Sequence, residues 1–178
     1  MIEQMVRELA TVAQVAARVL AVVSSVLKNQ ALAAMADALW DHRASVLSAN
    51  LSDVTEAKRE RHPPAFLDRL ALDEGRVEKI VDGLRQVAGL PDPVGEITGM
   101  WRRPNGLLVG RMRVPLGVIA VIYEARPGVT ADAAALCLKS GNSVILKGGR
   151  EAIRTNRVIS NVMAEAATAT GLPKGCVT

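Results

Sequence analysis

The chain has 178 residues, 49% hydrophobic and 22% charged, enough to bury the core of one domain or a little more and inconsistent with a disordered chain. Its net charge of +4 comes from basic residues scattered among acidic ones, and only four Trp, Tyr and Phe residues are present, which together argue against nucleic-acid binding. No apolar run reaches the ~20 residues of a membrane span, so no membrane partner is expected. The opening MIEQMVRELA lacks a secretory apolar stretch, which points to a cytoplasmic protein.

In chain order, Val12, Val15, Ala16, Val19, Leu20 and Val23 recur at helical spacing and predict an amphipathic first helix with that face inward. A second helix is expected to open near Asn29 and run through Leu32, Met35, Ala36, Leu39, Val46 and Leu47. Ser52 is a candidate N-cap for a third, short helix ended by His62-Pro63-Pro64. Asp73 caps a further helix that carries Val77, Ile80, Val81, Leu84, Val87 and Ala88 on one face and stops at Gly89. These segments predict an antiparallel helical layer over residues 1–93, closed by the stiff linker Leu90-Pro91-Asp92-Pro93.

Residues 97–102 and 107–114 flank Arg103-Pro104-Asn105-Gly106, and Asn-Gly between extended segments signals a hairpin. This segment, 94–114, is either a bridging or oligomerisation element or an ordinary surface hairpin. Residues 118–123 (VIAVIY) and 143–147 (SVILK) are short continuous apolar runs, the pattern of strands buried on both faces. Between them lies an Ala/Leu-rich helix, opened by Thr130 as its cap and stopped at Gly141-Asn142. The unit is therefore βαβ with parallel strands. A last helix over 152–170 turns Ile159, Val162, Met163, Ala166 and Ala167 inward and ends at Gly171 and Pro173.

Ligands in such sheets bind beyond the carboxyl ends of the strands, here Glu124-Ala125-Arg126 and Lys147-Gly148-Gly149-Arg150. Neither G-x-G-x-x-G nor a P-loop is present. Lys147, Gly148, Gly149 and Arg150 still suit a phosphate or phosphorylated ribose: a strand-end lysine, two glycines permitting close backbone approach, and the positive end of a helix. The alternative is a solvated strand end. Arg126 either holds an anionic substrate group or pairs with Glu124. Cys137 sits on the inward face of the crossover helix and reads as a small buried hydrophobe. Lys174 beside Cys176 would lower that thiol's pKa, but no histidine or carboxylate partner is in view, and neither cysteine reads as a nucleophile. His42 and His62 lack metal-ligand spacing, so no metal is expected.

The stretches RVPLGVIAVIYEARP, TADAAALCLKSGNSVILKGG, LKNQALAAMADAL, AFLDRLALDEGRVEKIVDGLRQVAGLPDPVG and PNGLLVGRMRVPLGV resemble the γ-glutamyl phosphate reductases (glutamate-5-semialdehyde dehydrogenases), a proline-biosynthesis branch of the aldehyde dehydrogenase superfamily. The resemblance covers nearly the whole chain, from about residue 10 to residue 177. It implies an α/β fold: the helical layer, the β-hairpin and, over 115–178, the first βαβ of a Rossmann-like cofactor domain, incomplete here. The implied reaction is NADPH-dependent reduction of L-glutamate 5-phosphate to glutamate 5-semialdehyde and phosphate. A cysteine thiolate attacks the acyl phosphate, phosphate leaves, and hydride reduces the thioester. It further implies a homo-oligomer when complete.

By the same resemblance, Lys147 matches the lysine that the superfamily uses on the adenosine ribose. Arg150 stands where NAD-using relatives place a ribose-binding glutamate, which favours a 2′-phosphate and NADP(H). Arg126 lies in the family's E-A/S-R-P segment. Ala125 stands where the wider superfamily has an asparagine for the thioester oxyanion, and Gly128 replaces the family's usual asparagine. The chain stops after GLPKGCVT, where a third strand should begin, and the family's catalytic cysteine lies in a later region. No catalytic residue is expected within these 178 residues, and the isolated chain is expected to be inactive. The rival expectation is a truncated, non-catalytic module that binds nucleotide or associates with another chain through exposed apolar strand edges and helix faces.

Overall fold

The computed structural model describes residues 2–178. The helical part comprises α1 (Ile2–Leu20), α2 (Ser25–Asp41), α3 (Arg43–Arg59), α4 (Pro64–Leu70) and α5 (Glu74–Gly89). Next comes the antiparallel hairpin of β1 (Ile97–Arg102) and β2 (Leu108–Met112), followed by β3 (Val118–Ile122), α6 (Pro127–Lys139) and β4 (Ser143–Lys147). A 3₁₀ turn (Arg150–Ala152) leads into α7 (Ile153–Ala169). Strands β3 and β4 pair in parallel from Val118↔Ser143 to Ile122↔Lys147, as the βαβ reading requires. The far edge of β4 is occupied too. Val144 N donates to Cys176 O at 3.0 Å, Thr178 N to Val144 O at 3.0 Å and Leu146 N to Thr178 O at 2.7 Å, so residues 176–178 lie parallel to β4 and bridge to it.

One apolar core runs from Leu32, Met35 and Leu39 of α2 through Val77, Val81 and Leu84 of α5 to Leu138, Val144, Ile159 and Met163. It joins the helical layer to the α/β unit, and the inward faces expected for α5 and α7 lie against it. Asp73 caps α5 as expected, its carboxylate accepting from Arg76 N at 2.7 Å.

Several local expectations fail for tertiary reasons. Helix α1 buries Ala13, Ala16, Ala17 and Leu20, while Val12, Val15 and Val19 of the expected inward face are exposed. The alanine side lets the helix approach β4 so closely that Ser143 Oγ donates to Ala13 O at 2.8 Å. The second helix begins at Ser25, capped by Ser24, and breaks at His42 instead of continuing to Leu47. Ser52 is no cap: it lies inside α3 and donates to Ser48 O. Thr130 likewise lies inside α6, whose N-cap is Arg126 with no side-chain capping bond. Strand β3 is not buried on both faces: Ile119 and Val121 pack on the core, but Ala120 and Ile122 are exposed.

Buried polar side chains pin the 3₁₀ turn and the start of α7. Asp53 accepts from Thr155 N (2.8 Å), Thr155 Oγ1 (2.7 Å) and Arg154 Nη1 (3.2 Å). Asn50 donates to Leu70 O and Thr155 Oγ1 and accepts from Leu72 N, tying α3 to α4, to the connection between α4 and α5, and to α7. Buried polar groups are tolerated when satisfied in this way.

Candidate functional site

The carboxyl ends of β3 and β4 lie side by side, with Tyr123 N donating to Lys147 O at 3.1 Å. Lys147 is exposed and its ammonium donates to Gly148 O at 2.9 Å. The glycines after it are required by the protein's own packing. A Cβ on Gly148 would stand 2.2 Å from Asn156 Nδ2 and 3.0 Å from the Tyr123 ring, and one on Gly149 would stand 3.2 Å from Ala125 N. The close approach expected at these glycines is thus made by α7 and by the loop after β3.

Asn156, Tyr123 and Thr130 form a chain. Tyr123 Oη lies 2.8 Å from Thr130 Oγ1, which donates to Asn156 Oδ1 at 3.0 Å. Burial pushes the Tyr123 phenol up, the bond to Thr130 offsetting part of that shift. Asn156 is buried and its Nδ2 has no hydrogen-bond partner among the described residues. A buried, unpaired amide donor costs on the order of 1–3 kcal/mol, so it calls for an acceptor. It lines a cleft of about 430 Å³ together with Lys147, Gly148, Arg150, Arg157 and Thr178. Nothing in the local sequence pattern marks Asn156 or Arg157; the packing of α7 over the strand ends brings them in.

Arg150 borders this cleft but leans away from it. Its Nε is 3.4 Å from Glu151 and its Nη2 is 3.8 Å from Glu60. Exposed pairs of this kind contribute about 0–1 kcal/mol, so a phosphate dianion would draw Arg150 away from them.

Arg126 and Glu124 lie at the end of β3, both exposed, and no ion pair joins them among the described residues. Glu124 lines neither cleft at the strand ends. Arg126 instead opens into a second cleft of about 500 Å³ between α5 and the first turn of α6, lined by Arg69, Arg76, Lys79, Gly128 and Asp132. The structure therefore separates the two groups of sequence candidates, Lys147 to Arg150 on one cleft and Arg126 on another.

Cys137 and Cys176 are buried free thiols. Burial raises both, and it pushes Cys176 up to about 11, opposite to the lowering expected from Lys174. A thiol so shifted holds little thiolate near neutral pH. Among the described residues no group of His, Cys, Asp and Glu is arranged to hold a metal ion, and no helix is long and apolar enough to cross a membrane.

No family model matches the chain. A curated relative, the gamma-glutamyl phosphate reductase of Clostridium novyi (strain NT), is 53% identical over 176 residues, which is 99% of this chain and 42% of the relative. The crystal structure of gamma-glutamyl phosphate reductase from Thermotoga maritima superposes with a TM-score of 0.91 at 38% identity, covering 96% of this chain and 41% of that one. A probable aldehyde dehydrogenase from Listeria monocytogenes EGD-e shares the fold, with a TM-score of 0.69 at 20% identity over 98% of this chain and 36% of that one. The chain spans about two fifths of the length of the curated relatives it matches. Identity above one half along nearly the whole chain, joined to a shared fold, places it in the γ-glutamyl phosphate reductase family, of which it forms the N-terminal part.

Proposed function

We propose that this chain provides the cofactor-holding part of an enzyme that reduces L-glutamate 5-phosphate to L-glutamate 5-semialdehyde and phosphate with NADPH, a step in proline biosynthesis. The observation that carries this reading is the cleft at the end of β4, where an exposed lysine, a close-packed glycine and a buried, unpartnered amide donor converge. Those groups fit the adenosine ribose and phosphates of a nicotinamide cofactor, which when bound supplies the hydride. Lys147 donates to ribose oxygens, and Asn156 Nδ2 supplies a fixed donor to an acceptor entering the cleft. Arg150 and Arg157 offer positive charge to a 2′-phosphate where a carboxylate would repel it. Neither cysteine is accessible or acidified, so the nucleophile comes from outside these 178 residues, and the isolated segment is expected to show no turnover.

Calorimetric titration of the 178-residue chain with NADPH and NADH tests the reading. NADPH should bind more tightly, Lys147→Ala should weaken it about tenfold, and Arg150→Glu should remove most of the preference over NADH. Equal affinity for the two cofactors in the parent chain would refute the NADP assignment.

A second reading, association with another chain, is favoured by exposed apolar side chains on α1 and β3, including Val15 (60% exposed) and Ile122 (82% exposed). It predicts concentration-dependent self-association in sedimentation, and a monodisperse monomer up to high concentration would count against it.

A further inference from the structure

Helix α7 carries side chains of the cleft at the end of β4, yet it has no cap of its own. Ala152, at its N-terminal flank, supplies no side-chain oxygen, and neither does Gly149 ahead of the 3₁₀ turn. Such a helix start leaves backbone N–H groups to be met from elsewhere. Asp53, 102 residues before Thr155 and 1% exposed, meets one of them. Its Oδ2 accepts from Thr155 N at 2.8 Å and from Thr155 Oγ1 at 2.7 Å. Thr155 is the third residue after Ala152, whose N–H an N-cap side chain ordinarily bonds. Asp53 therefore caps α7 from α3, across the fold. Ala152 N donates to Gly149 O at 3.3 Å and Ile153 N to Arg150 O, so further donors at this end are engaged within the protein.

What the cap controls is an angle. Ile153, Asn156, Arg157 and Ser160 line the cleft and recur at i, i+3, i+4 and i+7, along one face of α7. Thr155 belongs to the adjacent buried face, with Ile159 and Met163. A grip on Thr155 from behind sets how the cleft-facing stripe is turned. A helical side chain reaches about 6 Å from the axis, so a rotation of about 20° would carry its tip about 2 Å. Asn156 has no such room. Its Nδ2 stands 2.2 Å from where a Cβ on Gly148 would lie, and its Oδ1 accepts from Thr130 Oγ1 at 3.0 Å. Asn50 steadies the grip, donating to Thr155 Oγ1 at 3.3 Å while bonded to Leu70 O and Leu72 N.

We propose that Asp53 is a positioning residue for the cofactor cleft: it fixes the first turn of α7 and so holds Asn156 Nδ2 over Gly148, aimed at the incoming cofactor. The inference rests on the function proposed above and adds to it a residue that does not touch the ligand. It gives the helical layer a part in cofactor binding, since α3 carries the cap. The two Asp53 oxygens have separate tasks. Oδ2 takes both Thr155 bonds, while Oδ1 takes the exposed Arg154, its Nη1 at 3.2 Å. An asparagine can keep its one oxygen on Thr155 and lose only Arg154. Positioning therefore survives removal of the charge, whereas a role in charge balance would not.

Calorimetric titration with NADPH and the Asn156 side-chain amide signal in heteronuclear NMR, both on the 178-residue chain, test this. Asp53→Ala should weaken NADPH about tenfold and displace or broaden the Asn156 signal. Asp53→Asn should stay within about twofold of the parent, with that signal in place. Thr155→Val keeps the backbone donor and loses the Oγ1 bond; it should weaken NADPH about threefold and carries the test if Asp53→Ala does not fold. Val77→Ala opens a cavity in the core at α5, lowers stability there and should change neither readout. The inference is overturned if Asp53→Ala or Thr155→Val leaves the Asn156 signal and the NADPH affinity at the parent's values. It is also overturned if Asp53→Asn is as damaging as Asp53→Ala, or if Val77→Ala reproduces the loss. A parent chain that binds no NADPH sinks the proposed function, and the Asn156 signal then decides the positioning by itself.

Discussion

Asp92→Asn is expected to destabilise the chain by about 3–5 kcal/mol, the cost of leaving a buried charge without its partner. Lys28, 1% exposed, projects from α2 with its ammonium 2.5 Å from Asp92 Oδ2, and its other contact is Lys139 O at 3.4 Å. The carboxylate also accepts from Ser25 Oγ at 2.6 Å and Val94 N at 3.0 Å, so it closes the linker onto the start of α2. An asparagine keeps the shape and the acceptor but removes the charge. Guanidinium unfolding should show the loss as a lower midpoint. Replacing both partners with apolar residues, Lys28→Met with Asp92→Leu, should recover most of it, because the desolvation cost of both ions disappears. A single variant as stable as the parent would mean that the pair is not buried in solution.

The same pair predicts a pH dependence. Burial alone would raise the Asp92 carboxyl, but hydrogen bonds from Lys28, Ser25 and Val94 N outweigh it and hold it below its ordinary value. A carboxyl depressed in the folded state stabilises fully above its unfolded pKa of about 3.9, and that contribution is lost as pH falls through the folded value. The parent should therefore lose stability below about pH 4 more steeply than the Asp92→Asn variant, and the two curves should converge in acid.

Gly148→Ala is expected to cost about 1–3 kcal/mol through overpacking and to abolish most of the cofactor affinity. The new methyl would meet Asn156 Nδ2 at 2.2 Å and Tyr123 at 3.0 Å. Asn156 has nowhere to retreat, being buried and anchored to Thr130. Gly149→Ala should cost less: its 2.8 Å contact is to Glu151 Oε2, the end of a flexible side chain, and its backbone contact, Ala125 N, stands further off at 3.2 Å. Adding Asn156→Ala to Gly148→Ala should restore stability but not NADPH binding, since the unpaired donor is gone. Equal costs at the two glycines would disprove the close-approach argument.

Local chemistry made much of the fold legible. Alternation of β-branched runs with an Ala/Leu-rich segment placed β4 at its observed bounds and paired it in parallel with β3. Asn105-Gly106 located the hairpin turn, where Gly106 adopts a φ of +86°. Asp73 and the periodicity behind it located α5, and the family resemblance rested on ordered motifs that the comparisons bear out. These signals survive because each depends on a few neighbouring residues.

What failed depended on partners far away in sequence. The valines of α1 outweigh its alanines in hydrophobicity, yet the alanines are buried, because only small side chains admit a helix so close to β4. Lys28 and Asp92 look like solvated charges in a helix and a linker, and Asp53 like an ordinary polar helix residue, but each is matched across the fold. The candidate sites divide the same way. Sequence by itself determined the family, the βαβ unit and the strand-end residues Lys147, Gly148 and Arg126, since strand ends and glycines are written locally. Only the tertiary structure decided that Asn156 faces Gly148 unpaired, and that Arg126 shares a cleft with Lys79, Arg69 and Asp132. Helix packing sets those meetings, and no local pattern records which face of α5 or α7 will meet which loop.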